Sequence, residues 1–132
     1  MADYEFPTDC HYTAEDEWVR QEGEVLRVGI TDYAQQQLGD IVFVELPTIG
    51  ATIEKGKPFA VIESVKAVSD LFAPVSGTVV EINQTLEETP EQVNEKCYGD
   101  GWILTVRPTS ESAVADLMDS ESYRQHVAGR KE

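Results

Sequence analysis

The residue with the clearest chemical potential is Lys66, a lone cation in a long apolar and acidic stretch. From Pro58 through Glu95 it is the only positively charged side chain. The strands predicted on either side place residues 65–67 at a tight turn, and the neighbours Val65 and Ala67 carry no charge. An amine on a protruding turn suits enzymatic acylation, but a protonated amine is a poor nucleophile. A dedicated enzyme would have to activate the acid and deprotonate Lys66. By position alone, however, most surface lysines are only solvated.

The other reactive side chains form no catalytic motif. The sequence contains no G-x-S-x-G, no phosphate loop ending in G-K-S/T and no paired histidines, and His11 and His126 are solitary. Cys10 and Cys97 lie far apart and outside any C-x-x-C pair, which predicts two free, packed thiols in a reducing compartment. We therefore expect neither a metal site nor self-contained catalysis.

The charge balance narrows the class of partner. The 132 residues include 10 Lys and Arg against 25 Asp and Glu, a formal net charge of −15. Such a chain repels phosphate backbones and anionic lipids, so we expect no nucleic acid and no membrane partner. No run of 18 apolar residues occurs, and the acidic first 20 residues resemble neither a signal nor a transit peptide. A protein partner with a basic face is favoured.

The elements that must position Lys66 are predicted to be short strands separated by turns. Thr31 as a cap and Gly39 as a stop predict a short helix over 31–39. Gly77 is expected to need a positive φ at its turn. The polar, acidic segment 84–95 is predicted to be a surface loop. The strands are predicted at 17–20, 24–30, 40–46, 59–64, 70–73, 77–83 and 102–106.

The two ends of the chain are predicted to differ from this β core. We expect residues 1 to about 11 to be irregular and, up to Asp9, loosely held. Residues 109–132 are predicted to form a helical tail, in which Ser110 or Ser112 caps a first helix and a second runs over 120–127. The first helix would present one apolar face, and the second would present Tyr123 and Val127. The first face consists of Val114, Leu117 and Met118.

Several segments together carry a resemblance to a known family. Residues 63–70 read Glu-Ser-Val-Lys-Ala-Val-Ser-Asp, and residues 74–83 read Pro-Val-Ser-Gly-Thr-Val-Val-Glu-Ile-Asn. With residues 17–19, 29–35, 38–47 and 98–102, in this order, they resemble the H proteins of the glycine cleavage system. The resemblance extends from about Tyr12 to the C-terminus. It implies a single lipoyl-carrier domain over 1–132, with the lipoyl/biotinyl-type fold: a flattened barrel or sandwich of short antiparallel strands.

The family resemblance implies a carrier and not an enzyme. Lys66 would hold lipoic acid in amide linkage, attached by a lipoate ligase or a lipoyl/octanoyl transferase. The loaded arm would carry an aminomethyl group from a pyridoxal-phosphate glycine decarboxylase to a tetrahydrofolate-dependent aminomethyltransferase, and electrons to dihydrolipoyl dehydrogenase. The cofactor and the partners would supply the chemistry, and the carrier would supply reach.

Further site residues follow from the resemblance. Glu17 is the expected carboxylate for the amine of the loaded arm, and Asp70 lies near the root of that arm. Glu63 is expected to stand exposed beside Lys66 and to be recognised by the attaching enzyme. Two positions depart from the family pattern, Asp16 and Gln37, where histidine is common, and both are expected to border the cleft that holds the arm.

Two other functions are compatible with the same residues. The chain could be a relay that donates lipoate to other lipoyl-dependent proteins, or an acidic adaptor that carries no modification. The sequence favours the bacterial cytoplasm, with the mitochondrial matrix as the alternative for a trimmed chain.

Overall fold

Two antiparallel β-sheets make up most of the fold, which a computed structural model describes over residues 4–110 and 113–130. The strands are β1 (His11–Tyr12), β2 (Glu17–Glu22), β3 (Val25–Ile30), β4 (Ile41–Glu45), β5 (Thr52–Ile53), β6 (Pro58–Ser64), β7 (Val68–Phe72), β8 (Gly77–Ile82) and β9 (Leu104–Pro108). One sheet has the order β1-β2-β3-β9-β8-β5 and the other the order β4-β6-β7. The predicted mainly β fold is confirmed, as a sandwich and not as a closed barrel.

The main hydrophobic core lies between the two sheets, because alternate residues of each strand point inward. Val28 and Leu104 contribute from the six-stranded sheet, and Ile62 and Leu71 contribute from the three-stranded sheet, all at most 4% exposed. The strands predicted at 17–20 and 24–30 are confirmed and form a hairpin: β2 pairs with β3, and Gly23 occupies the turn with φ +66°.

Helix α1 (Asp32–Leu38) carries the chain from the first sheet to the second. The Thr31 side chain accepts a hydrogen bond from the Ala34 amide at 3.2 Å, and Gly39 ends the helix with φ +82°. Both predicted signals, the Thr31 cap and the Gly39 stop, are therefore present. The first-turn amide needs a side-chain acceptor such as a threonine hydroxyl, and a positive φ at the end of the helix favours glycine.

The predicted surface loop over 84–95 is wrong. A 3-10 turn (Gln84–Glu87) and the one-turn helix α2 (Gln92–Glu95) occupy this segment. Leu86 and Val93 are completely buried in the main core, while the acidic residues between and around them are exposed. Two buried anchors in a polar segment hold it on the body of the protein.

The C-terminal helix α3 (Ser120–Ala128) confirms the predicted second helix, with Tyr123 and Val127 buried. Asp119 caps it by accepting a 2.8 Å hydrogen bond from the Ser122 amide. The first predicted helix is only a 3-10 turn (Ala113–Asp116), and Ser112 lies outside the described residues.

The apolar residues of that first predicted helix do not share one face. Val114 and Leu117 pack against the main core, whereas Met118 packs against a second, aromatic cluster. The backbone of Met118 also pairs with that of Tyr12 through hydrogen bonds of 2.8 and 2.9 Å. This pairing joins the C-terminal region to β1 and ends the 3-10 turn.

The aromatic cluster also holds the N-terminal segment. Residues 4–10 form no helix or strand, but Phe6 is only 7% exposed and its ring centroid lies 5.1 Å from that of Tyr123. Tyr12 stacks on Tyr123 at 4.7 Å. The expectation of a loosely held N-terminus is therefore wrong for the described residues. Cys10 and Cys97 are free and buried, as predicted.

Two further details differ from the sequence predictions near the end of the β core. Strand β9 begins at Leu104, two residues later than expected. Gly77 is required for a different reason from the one predicted, because its φ is not positive. A Cβ at this position would collide with the carbonyl oxygen of Arg107 on the neighbouring strand β9. Close strand approach, and not turn geometry, selects glycine here.

Candidate functional site

Lys66 lies at the exposed tip of the hairpin formed by β6 and β7, as the sequence predicts. No ion pair involves it among the described residues. Its aliphatic stem lies alongside the end of α1, where a Cβ placed on Gly39 would stand 3.6 Å from the Lys66 Cε. The amine is thus accessible to another protein while its stem is supported.

Ser64 holds the turn that carries Lys66. Its hydroxyl oxygen accepts hydrogen bonds from the amides of Lys66 at 3.2 Å and Ala67 at 3.0 Å. The Ser64 amide donates to the Ala67 carbonyl at 2.8 Å and closes the hairpin. The turn amides are therefore satisfied by a buried side chain, which gives the tip a defined backbone conformation.

A second set of bonds anchors the tip to α2. The Val65 amide donates to the Asp40 carbonyl at 3.0 Å. Asn94 holds the chain on either side of Asp40: its side-chain amide nitrogen donates to the Gly39 carbonyl at 2.9 Å, and its oxygen accepts from the Ile41 amide at 2.9 Å. The segment mispredicted as a loop thus supports the lysine turn.

A groove of about 170 Å³, which we call the arm groove, runs between α1, β7 and the turn before β2. Its apolar residues include Ile30, Leu38 and Leu71, and Ser69 and Asp70 lie on its β7 side. Asp70 is exposed and follows Lys66 by four residues on the same hairpin. The apolar part of the lining fits a hydrocarbon chain, and the Asp70 carboxylate at the edge fits a cation.

Glu17 does not share the arm groove with Asp70. It lines an adjacent cavity of about 260 Å³ together with Phe72, Lys55 and Met118. Glu15 lines both spaces and so stands at their boundary. The structure therefore brings the two predicted carboxylates to neighbouring compartments and not to one.

The Glu17 carboxyl is almost completely removed from water, at 1% exposure. One oxygen accepts from the Thr13 hydroxyl at 2.7 Å and the other from the Phe72 amide at 3.1 Å. Burial raises the pKa of Glu17 to about 8 from its ordinary value of 4.5, although the hydrogen bonds from Thr13 and Phe72 oppose that rise. Glu17 therefore holds a proton near neutral pH and links β2 to β7.

Asp16 and Gln37, the two positions that depart from the family pattern, both line the arm groove. Asp16 has φ +75°, and its carboxylate is engaged by α3 and the residues after it. It accepts from the Tyr123 hydroxyl at 2.9 Å and pairs with the Arg130 guanidinium at 2.9 Å. The Arg130 guanidinium therefore balances the charge of Asp16 within the fold.

Glu63 is half-buried, and less exposed than predicted. It stands in register with Phe43 on β4 and Val68 on β7, so the three side chains point to the same, outer face of the three-stranded sheet. Its carboxylate is separated from Lys66 by two residues of the turn.

Sequence reasoning missed two supporting residues, Ser64 and Asn94. A serine directly before a turn is a signal for a hydroxyl-to-amide bond, so Ser64 could have been found. Nothing local marks Asn94, because its partners lie more than 50 residues away.

The described residues include neither a cluster of metal-ligating side chains nor a membrane-spanning helix. No group of three or more His, Cys, Asp or Glu side chains over 4–110 and 113–130 could hold a metal ion. In the same part of the chain, no helix has the length and apolar character needed to cross a bilayer.

Comparison with known proteins identifies the family. The model of the family "Glycine cleavage H-protein" matches residues 10–130. A glycine cleavage system H protein of Bacteroides thetaiotaomicron is 53% identical over 94% of this chain and 98% of its own length. That of Bacillus subtilis is 51% identical over 90% and 94%.

A solved structure extends the agreement to three dimensions. The crystal structure of a glycine cleavage system H protein from Mycobacterium marinum superimposes with a TM-score of 0.86 at 39% identity, and covers 93% of this chain and 99% of that chain. The two-sheet sandwich, the family match over nearly the whole sequence and the close relatives lead to one assignment: the chain belongs to the glycine cleavage H-protein family.

Proposed function

We propose that this chain is the lipoyl carrier of a glycine cleavage system and that lipoic acid is attached to Lys66. The observation that carries the proposal is an exposed amine on a turn fixed by Ser64, beside a groove that is lined in part by apolar side chains. Within the described part of the chain this amine forms no ion pair. When attached, the lipoyl group supplies a disulfide that accepts the aminomethyl group and is reduced. The chain itself would be non-catalytic.

The residues around the tip have separable tasks in this proposal. Lys66 provides the tether, and Ser64 keeps its backbone in a single orientation. The apolar side of the arm groove, including Leu38 and Leu71, shelters the hydrocarbon part of the arm from water. Asp70 attracts a protonated amine at the groove edge.

Glu17 would bind the amine of the loaded arm in the cavity next to the arm groove. In the cavity beyond Glu15 it is protonated near neutral pH because of its burial. A positive amine that enters this cavity favours the ionised carboxylate, so Glu17 would release its proton and form a charged hydrogen bond. Such a pair, away from bulk water, would hold the amine during transit.

The proposed partners are those of the glycine cleavage system: the glycine decarboxylase, the aminomethyltransferase and dihydrolipoyl dehydrogenase. A lipoate ligase or a lipoyl/octanoyl transferase would attach the arm. The relatives named above are bacterial, which supports action in the bacterial cytoplasm.

Intact-mass measurement of protein from cells supplied with lipoate tests the attachment. We expect one lipoyl-amide increment in the parent, none in Lys66→Ala, and an unchanged increment in Lys57→Ala, which removes another exposed lysine. Glu63→Ala should slow attachment with little change in melting temperature. An increment that persists in Lys66→Ala would overturn the assignment of the site.

Glycine–bicarbonate exchange with the decarboxylase tests the carrier role itself. The lipoylated parent and Lys57→Ala should support exchange, and Lys66→Ala should not. Exchange at the parental rate with Lys66→Ala would show that the arm on Lys66 is not the carrier. A lipoylated parent that supports no exchange would instead point to a lipoate relay.

A further inference from the structure

Four exposed apolar side chains surround the base of the lysine turn. We call Val42, Phe43, Val65 and Val68 the tip patch. They are 52%, 47%, 69% and 68% exposed, and Ile49 is the remaining large apolar residue with comparable exposure among those the structure describes. Four of five such residues therefore lie next to Lys66, which is unusual for side chains left in water by chance.

A β-bulge presents two members of the patch together. The pairing of β4 with β6 shifts register between Ile41 and Phe43, so Val42 and Phe43 both face solvent while Ile41 and Val44 are buried. A regular strand would have turned one of the two inward. The bulge therefore enlarges the apolar surface on the same sheet that carries Lys66.

The members of the tip patch lie on both sides of Glu63 on the outer face of the sheet and extend to the tip. Phe43 stands in register with Glu63, and Glu63 with Val68, so they form one row on the outer face. Val65 lies in the turn itself, where its amide is bonded to Asp40. None of the four patch residues lines the arm groove, whose β7 side consists of Ser69, Asp70 and Leu71.

Carboxylates rim the tip patch. Asp40 precedes β4 and Glu45 ends it. Asp70, which also lines the arm groove, faces Glu45 across Val61 in the next outer row of the sheet. The surface thus combines exposed apolar side chains with carboxylates at its edge and, through Glu63, between its members. It suits a partner that offers apolar side chains together with Lys or Arg.

We propose that the tip patch is the docking surface for the enzyme that acylates Lys66, a protein with an apolar surface rimmed by Lys or Arg beside its active site. This inference rests on the proposed lipoylation of Lys66. The surface is complete in the unmodified chain, adjoins the amine to be acylated, and lies outside the groove that the finished arm would use. Those three properties favour the attaching enzyme over the partners that process the arm.

Acylation kinetics with a lipoate–protein ligase, ATP and lipoic acid test the proposal. In that reaction the amide bond forms between Lys66 Nζ and the lipoate carboxyl carbon. One carboxylate oxygen leaves on AMP, pyrophosphate is released, and the ammonium loses two protons. Intact mass gives the rate as a function of carrier concentration.

The patch variant is Val42→Ser with Phe43→Ser, and the control is Ile49→Ser, which removes a side chain of similar exposure away from Lys66. We expect the patch variant to raise KM for the carrier by about tenfold with little change in kcat. Ile49→Ser should retain the parental KM. Equilibrium binding of the unmodified carriers to the ligase should show the same tenfold difference.

Several outcomes would overturn the proposal. If the patch variant has the KM and Kd of the parent, the docking proposal is wrong. Acylation of Lys66 in the same experiment would still support the proposed function. Parental acylation combined with impaired exchange at the decarboxylase would assign the patch to a downstream partner. A dimer of the parent that dissociates in the patch variant would assign it to a second copy. Circular dichroism must show that both variants are folded. If Phe43→Ser disrupts folding, the patch variant becomes Val42→Thr with Phe43→Thr, and its KM is compared with that of the parent in the same way.

Discussion

At the scale of single residues, Glu17 shows how burial changes the role of a carboxyl. Its two hydrogen bonds, from Thr13 and Phe72, satisfy both oxygens but do not offset the loss of water, so its pKa rises to about 8. The folded state binds this proton more tightly than the unfolded state does. Ionisation of Glu17 therefore opposes folding.

This shift predicts a pH dependence of stability that Glu17→Gln removes. The contribution of Glu17 falls as pH rises from about 4.5 towards 8 and is constant above 8. Between pH 5 and pH 8.5 the free energy of unfolding of the parent should therefore fall relative to Glu17→Gln by more than about 1.4 kcal/mol, one pKa unit. Urea unfolding at both pH values measures it.

Glu24→Gln is the matched control, because Glu24 is an exposed carboxyl in the turn between β2 and β3, at the opposite end of β2 from Glu17. Its difference from the parent should stay the same at both pH values. If the curves of the parent and Glu17→Gln run parallel with pH, Glu17 titrates equally in the folded and unfolded states.

The same scale shows what sequence can predict of the site. The exposed position of Lys66 at a hairpin tip is identifiable because its charge contrasts with its neighbours and its turn is local. The burial of Glu17 is not identifiable, since it depends on the packing of β2 against β7, more than 50 residues away. The resemblance to a family supplied Glu17, but not its protonation.

At the scale of elements, close strand approach fixes some residues more strictly than turn geometry does. Gly77 begins β8 and pairs with Pro108 of β9, beside the Arg107 carbonyl. A side chain there would have to move a strand that also pairs with β3.

Gly77→Ala is therefore expected to lower the free energy of unfolding by about 2 kcal/mol or more. Gly99→Ala is the control, because the nearest atom to its added Cβ lies at 3.8 Å and its φ is not positive. Its effect should stay within about 0.5 kcal/mol. Equal denaturation midpoints for parent and Gly77→Ala would contradict the collision with Arg107.

Asn94 connects α2 to the lysine turn. Asn94→Ala leaves the Gly39 carbonyl and the Ile41 amide without their partner. We expect a loss of about 2 kcal/mol in unfolding free energy and faster hydrogen exchange at the Val65 amide, which is bonded to Asp40. Glu95→Ala, an exposed change in the same helix, should leave that exchange rate unchanged. If the Val65 amide of Asn94→Ala exchanges as slowly as that of the parent, the turn does not need α2.

The elements with local signals are the ones that the sequence predicts well. The cap and stop of α1 act within a few residues, so its bounds follow from Thr31 and Gly39. The segment 84–95 has only two apolar anchors, Leu86 and Val93, and no periodicity, so its burial becomes evident only when both sheets are in place.

At the scale of the whole molecule, the net charge of −15 is a source of self-repulsion. The ion pairs of the described residues are few and mostly exposed, so they offset little of it. Lipoylation of Lys66 would remove one positive charge and change −15 to −15 − 1 = −16.

Salt should therefore stabilise the fold by screening this repulsion. We expect the melting temperature to rise between about 10 mM and 300 mM NaCl, where the Debye length falls from roughly 30 Å to below 8 Å. Glu87→Gln with Glu91→Gln removes two exposed charges, −15 + 2 = −13, and should show a smaller rise. A melting temperature that falls with salt would mean that attractive pairs outweigh the repulsion.

The burial of both cysteines has a consequence for the proposed lipoyl carrier. Cys10 is 1% and Cys97 7% exposed, and burial raises the pKa of each thiol to about 12. Neither is then a thiolate that could attack a disulfide held on the surface. In the folded protein, an alkylating reagent at neutral pH would consequently label the thiols of a reduced lipoyl group and not the two cysteines. The extent of labelling would therefore measure the fraction of the lipoyl group that is reduced.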